Sequence, residues 1–149
     1  MIYIASDHAG FMLKQFLLER LRAHGKDVED CGAAKFDQAD DYPDYIFPCA
    51  EKVAAGAPDA RGIVIGWSGQ GEAIAANKVK GVRALVYYGG PAEIITLSRE
   101  HNDANVLSLG AGFLTEEAAA EVVEKWLATA FPGEERHSRR LKKIEQKEH

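Results

Sequence analysis

Short apolar runs alternate along this chain with longer stretches in which apolar positions recur every third or fourth residue. The runs at Ile2–Ala5, Asp27–Cys31, Gly62–Gly66, Val82–Tyr87 and Asn105–Leu109 predict β-strands. Several are apolar without alternation, the pattern of strands covered on both faces of a parallel sheet. Leu13, Phe16, Leu17 and Leu21 share one face of a helix over Phe11–His24, and Ala119, Val122, Val123, Trp126, Leu127 and Ala130 do the same over Thr115–Ala130. Pro91, after Gly89-Gly90, suits the first turn of a helix running to His101. This order predicts an α/β fold, a Rossmann-like three-layer sandwich around a mainly parallel five-stranded sheet. No internal repeat, linker or low-complexity segment interrupts it, so residues 1-149 are expected to form one domain. The charged stretch from Glu134 to His149 reads as a solvated helix, or as an arm reaching towards something anionic.

In such sheets ligands bind beyond the carboxyl ends of the strands. Four polar or glycine-rich segments fall there: Ser6-Asp7-His8-Ala9-Gly10, Asp41-Tyr42-Pro43-Asp44-Tyr45, Gly66-Trp67-Ser68-Gly69-Gln70-Gly71-Glu72 and Gly110-Ala111-Gly112. Their convergence predicts one site on one edge. Composition narrows what that site serves. With 18 basic against 23 acidic residues the net charge is −5, which offers no footprint for nucleic acid or an anionic membrane. No apolar stretch is long enough to span a bilayer, and MIYIASDHAG lacks the marks of a signal peptide. Cys31 and Cys49 fit small buried residues in a reduced, cytoplasmic protein.

The Gly66–Glu72 segment is a strand-to-helix turn whose glycines let backbone approach a ligand and whose N–H groups favour negative charge. It is no P-loop, since no Gly-Lys-Ser/Thr follows, and no dinucleotide fingerprint, since Ile74 stands where the third glycine belongs. Glu72 reads first as a stabilising first-turn acid, and as a base only with support from beyond its own position. As a base it faces a conflict, because the helix start lowers its pKa and only burial raises it. Asp7 and His8 read as a cap with a satisfied histidine, or as groups that hold hydroxyls or phosphate or move protons. His101, seven residues after Ile94, falls on the apolar stripe of its helix, the place of a core histidine. That helix runs back from the carboxyl edge, so His101 ends at the opposite edge and reaches the loop site only from a partner chain. Arg136 and Arg140, four apart, share a helix face able to grip one phosphate. No His, Cys and carboxylate set has metal-ligand spacing, so no metal is expected.

Taken together the segments resemble the ribose-5-phosphate isomerase B family, which includes the galactose-6-phosphate isomerase subunits. The resemblance runs from Ser6–Gly10 to Arg136-His137-Ser138-Arg139-Arg140. It takes in Asp41-Tyr42-Pro43, Gly71 with Ala75-Ala76-Asn77-Lys78, Gly81-Val82-Arg83, and Arg99-Glu100-His101-Asn102-Asp103 with Ala104-Asn105-Val106-Leu107. It implies metal-free, cofactor-free aldose–ketose isomerisation of a phosphorylated sugar, ribose 5-phosphate to ribulose 5-phosphate, through a cis-enediol. It implies a homodimer or dimer of dimers with sites at the subunit interface and a C-terminal helix extending to the partner. His101 would help open the furanose ring. The base, in many members a cysteine at the position of Gly66, would here be Glu72, as in a second subgroup. Ser68, with the loop N–H groups of Gly69 and Gly71, would stabilise the enediolate oxygen. Asp7 and Asn102 would hold sugar oxygens, and Tyr42 and Trp67 would line the pocket. His8, Arg136, His137 and Arg140 would hold phosphate, the last three from the other subunit.

Two departures bear on the substrate. Gly112 stands where members usually carry a phosphate-binding arginine, with Arg139 or Lys35 as candidate replacements, and Trp67 stands where glycine is typical. Other readings are an isomerase of a tetrose or hexose phosphate, a non-catalytic sugar-phosphate binding protein, and a flavodoxin-like nucleotide module.

Overall fold

A computed structural model describes residues 1–148; His149 lies outside the described residues. Five strands, β1 (Ile2–Ser6), β2 (Val28–Asp30), β3 (Arg61–Gly66), β4 (Ala84–Tyr87) and β5 (Val106–Gly110), form one sheet in the order β2-β1-β3-β5-β4, every neighbouring pair parallel. The helices are α1 (Phe11–Ala23), α2 (Pro43–Ala55), α3 (Gln70–Ala76), α4 (Glu93–Glu100), α5 (Glu116–Ala128) and α6 (Glu135–Glu145). The α/β sandwich expected from the alternating pattern is the fold observed.

The apolar strand runs divide residue by residue between two cores, because successive side chains of a strand face opposite ways. Ile63, Ile65, Leu107 and Leu109 pack with Leu13, Leu17 and Leu21 of α1 and Val123 and Trp126 of α5. Val64 and Val106 pack on the other face with Ile46, Cys49, Ala50 and Val53 of α2 and Ala75 and Ala76 of α3. Both thiols are free, and Cys49 is buried.

Helix α2 has no counterpart in the periodic stretches singled out from the sequence. Pro43 opens it in the first turn, where a missing N–H costs nothing, but Pro48 inside it breaks the propensity pattern. Packing of Ile46, Cys49, Ala50 and Val53 overrides that. Helix α6 is not simply a solvated tail, since His137 and Leu141 are buried. In α4 the buried residues are Ile95, Ser98 and Arg99, while Ile94 is exposed. His101 therefore does not lie on a core stripe: it caps the helix and is half-buried. The stripe is offset by one position because Ile95, not Ile94, faces the main core.

Lys14 of α1 is fully buried, and its ammonium bonds Asp30 at 2.8 and 3.0 Å and the Ala33 carbonyl at 2.5 Å. These bonds pin the start of the long segment between β2 and α2, which carries acidic residues over the carboxyl edge of the sheet.

Candidate active site

Chain progression reverses direction at β1, which lies between β2 and β3, so the loops leaving β1 and β3 part and open a crevice at their carboxyl ends. Asp7 and His8 line it from β1. Asp7 is buried, and its Oδ1 accepts from the N–H groups of Ala9 (3.0 Å) and Gly10 (3.4 Å), an Asx-type turn that leads into α1. Gly10 is obligatory here, since a Cβ would lie 2.6 Å from the Ile65 carbonyl oxygen and Cγ2 of β3. Across the crevice, Tyr42 at the start of α2 leans on Gly71, where a Cβ would meet its phenol oxygen at 2.6 Å.

The β3 loop supplies the carboxylate. Gly69, at φ +78°, takes the left-handed conformation that starts α3 and places Glu72 in the first turn. The buried Ser108 hydroxyl donates to the Gly69 carbonyl at 2.6 Å, and Ser68 Oγ accepts from the Gln70 N–H at 3.3 Å. Glu72 is only 4% exposed, and its carboxylate fills the space beside Gly66. A Cβ at residue 66 would collide with that carboxylate. Residue 66 thus carries no side chain, and the acid occupies that space. Desolvation holds the Glu72 pKa above its ordinary value of 4.5, with the charge of Asp7 adding to the rise and a backbone hydrogen bond opposing it. Burial therefore outweighs the helix start, as a base requires.

The two unusual residues prove to be one feature. The indole of Trp67 lies over Gly112, so that a Cβ there would fall 2.6 Å from Cδ2 and 2.7 Å from Cζ2. Gly112 N–H donates to the Trp67 carbonyl at 2.9 Å, joining the β3 and β5 loops. Phe113 (6.2 Å between centroids) and then Tyr88 (5.8 Å) extend the aromatic wall, and Trp67 is 63% exposed. Of the candidate replacements for an arginine at 112, Arg139 pairs with Glu135 on α6 and Lys35 is exposed on the β2–α2 segment.

The other expected residues gather elsewhere. His101 and His137 stack at 4.1 Å between centroids and 16° between planes, with Asn102, Arg136 and Arg140 exposed on the same two elements. His137 is 5% exposed, and burial, then His101 and Arg136, push its pKa down. Asp103 holds this turn between two arginines: it accepts from Arg99 at 2.9 Å and from Arg83 at 3.0 Å. Asn105, just beyond, accepts through its carbonyl from Gly62 at the amino end of β3. Glu72 sits against Gly66 at the other end, four strand steps and about 13 Å away. One chain therefore carries two clusters of these residues on opposite edges of its sheet. Asp7, His8, Tyr42, Trp67, Ser68, Gly69, Gly71 and Glu72 form one; His101, Asn102, Arg136, His137 and Arg140 form the other.

One residue was absent from the sequence candidates. The Asp40 side chain is 4% exposed and bonds both the His8 backbone N–H (3.1 Å) and Nδ1 (2.6 Å). The partners lie 32 residues apart with no shared periodicity, so no pattern signals the pair. Asp7, His8 and Asp40 each bring a potential metal-ligand atom within 4.8 Å of the others, but Nδ1 is committed to the Asp40 carboxylate.

A family model described as Ribose/Galactose Isomerase matches residues 2–144. The ribose-5-phosphate isomerase B of Mycolicibacterium paratuberculosis is 41% identical over 140 residues, covering 94% of this chain and 86% of that protein. Among solved structures, ribose-5-phosphate isomerase B from Mycoplasma genitalium with bound ribulose-5-phosphate superposes with a TM-score of 0.92 at 41% identity, covering 97% of this chain and 93% of that one. The Clostridium thermocellum enzyme gives 0.90 at 42% identity, covering 97% and 95%. With these matches along nearly its whole length, the chain belongs to the Ribose/Galactose Isomerase family.

Proposed function

We propose that this chain, a single domain over residues 1-149, is a cytoplasmic, metal-independent aldose–ketose isomerase that interconverts ribose 5-phosphate and ribulose 5-phosphate. The observation that carries this reading is the buried Glu72 carboxylate, held in the gap at Gly66 with its pKa raised. A non-catalytic binding protein has no use for a desolvated base. Glu72 takes the proton from C2 of the open-chain aldose and returns it to C1 of the cis-enediol(ate). Ser68 and the loop N–H groups at Gly69 and Gly71 stabilise the oxygen on which charge develops, a role suited to donors fixed before reaction. His101 transfers the proton that opens the furanose ring. Asp7 and Asn102 hold sugar hydroxyls, and Tyr42 and Trp67 wall the pocket. His8 meets the phosphate together with Arg136, His137 and Arg140.

The separation of the two clusters supports a homodimer, in which His101, Asn102 and the α6 cations of one subunit complete the crevice of the other. Mixed-subunit complementation tests this. Glu72→Gln and His101→Asn proteins are each inactive as homodimers. Co-refolded in equal amounts, they regain about a quarter of parental activity, because half the dimers are mixed and each mixed dimer has one intact site. No recovery would refute the shared site. The activity itself is tested by ribose 5-phosphate turnover in excess EDTA.

A second reading, a phosphorylated sugar of another length, is favoured by the Trp67 indole over Gly112, which replaces a cationic position with an apolar wall. Absence of ribose 5-phosphate turnover with activity on a four- or six-carbon sugar phosphate would select it.

A further inference from the structure

His8 stands at the mouth of the crevice, a third exposed, on a loop of otherwise small residues. An imidazole there swings freely, and near neutral pH it is mostly uncharged unless something holds it. Two contacts from a distant segment hold it. Asp40 Oδ1 accepts from the His8 backbone N–H at 3.1 Å and from the ring at Nδ1 at 2.6 Å, so one carboxylate oxygen fixes both the loop and the ring. Phe36 adds an edge-on contact, its centroid 6.4 Å from the imidazole at 87°. Among the described residues no hydrogen bond occupies Nε2.

The Asp40 side chain is 4% exposed, and its second oxygen has no hydrogen-bond partner. A buried carboxylate with one free oxygen is costly unless a positive charge faces it. The ring it touches supplies that charge when Nδ1 carries a proton and Nε2 keeps its own.

We propose that Asp40 is a positioning residue that locks His8 as an outward-facing cation, with Nε2–H presented to the phosphate of the substrate. This rests on the isomerase reading, in which His8 is a phosphate contact. It gives the crevice a fixed positive donor of its own, beside the cations brought by the partner subunit. Within its own chain the charges facing His8 favour its protonated form: Asp7 on the same loop at 3.9 Å, and Asp40 and Asp37 on the segment before α2, while the cations of the partner subunit oppose it. The Asp40 hydrogen bond is the largest cause of the raised His8 pKa, and desolvation opposes it. Tyr45 of α2, beside Asp40, has its own pKa raised by burial and by Asp40, Asp37 and Asp44, so it is a neutral neighbour.

The test is Asp40→Asn in the full-length protein. In the parent, the raised His8 pKa keeps KM for ribose 5-phosphate low to a higher pH than in the variant. In the variant His8 titrates at a lower pH, so KM is near parental at pH 6 and higher by on the order of tenfold at pH 8.5, with kcat retained. The His8 Cε1–H resonance, assigned by loss in His8→Gln, shows the lower midpoint directly, and Asp40→Glu restores much of it. Sulfate, which does not titrate in this range, repeats the measurement by calorimetry without catalysis. Failure of parental turnover would therefore strike the isomerase reading, while sulfate still decides the Asp40–His8 coupling. An unchanged His8 midpoint, or a KM ratio that does not vary with pH, overturns the proposal. If Asp40→Asn does not fold, His8→Gln decides: sulfate binding must weaken at pH 6, and parental sulfate affinity in that variant overturns the proposal.

Discussion

A single methyl group placed at Gly66 tests whether Glu72 acts from the position the fold assigns it. In Gly66→Ala the new Cβ lies inside the volume of the Glu72 carboxylate. Strand β3 is hydrogen-bonded on both sides and cannot yield, with Ile65 paired to Ser6 and Leu109 and Gly66 paired to Gly110. The side chain of Glu72 must therefore rotate away. Inserting a methyl into a packed site costs about 1–3 kcal/mol of stability. Displacing a general base removes its catalytic contribution, typically about 10²–10⁴-fold. The expected result is a folded protein whose kcat for ribose 5-phosphate falls by at least about a hundredfold with a modest change in KM. Ketose formation gives the rate, and thermal unfolding by circular dichroism confirms the fold. Glu72→Ala and the double variant complete a cycle. If both single changes act through the same carboxylate, the double is no slower than either alone, and it is more stable than Gly66→Ala because the methyl now has room. A folded Gly66→Ala protein within tenfold of parental kcat would refute the assignment, as would losses that multiply in the double variant.

The raised pKa of Glu72 places the acid limb of the kcat/KM profile above 4.5, and a limb at or below that value would contradict a desolvated base. Because the folded pKa exceeds the unfolded one, Glu72 burdens stability as pH rises through the folded value and not below 4.5. Glu72→Gln should therefore raise Tm at pH 7 and lose that advantage at pH 4, and equal Tm differences at both would refute the sign. At the aromatic wall, Gly112→Arg alone should cost about 1–3 kcal/mol in denaturant unfolding, because Trp67 fills the space. Trp67→Gly with Gly112→Arg should instead fold well and lower KM for ribose 5-phosphate by about tenfold relative to Trp67→Gly, and tolerance of the arginine beside the indole would break the coupling. Asp103→Ala removes a carboxylate facing the buried Arg99 and also frees Arg83. It should destabilise by about 3 kcal/mol, less any relief from the carbonyls of Thr129 and Ala104 that Arg99 keeps.

Much of this protein was written in local pattern. Parallel strands covered on both faces need unbroken apolar runs, and helices on a sheet need apolar residues every three or four positions, so β1, β3, β5, α1 and α5 were readable without coordinates. Ordered motifs also picked out the candidate site residues, and the direction of α4 already separated His101 from the loop cluster. What local pattern could not carry was any relation set by the packing of distant segments. Helix α2 was obscured by Pro48, because burial of its apolar face outweighs a local propensity that sequence reads first. The one-residue offset that buries Ile95 and leaves Ile94 exposed depends on where α4 meets the sheet. That Glu72 lies in the space left by Gly66, that Trp67 lies over Gly112 and that Asp40 grips His8 are steric and electrostatic facts between residues 6, 45 and 32 positions apart. A residue's chemistry is fixed by its type, but its pKa, its room to move and its partner are fixed by what the folded chain brings against it.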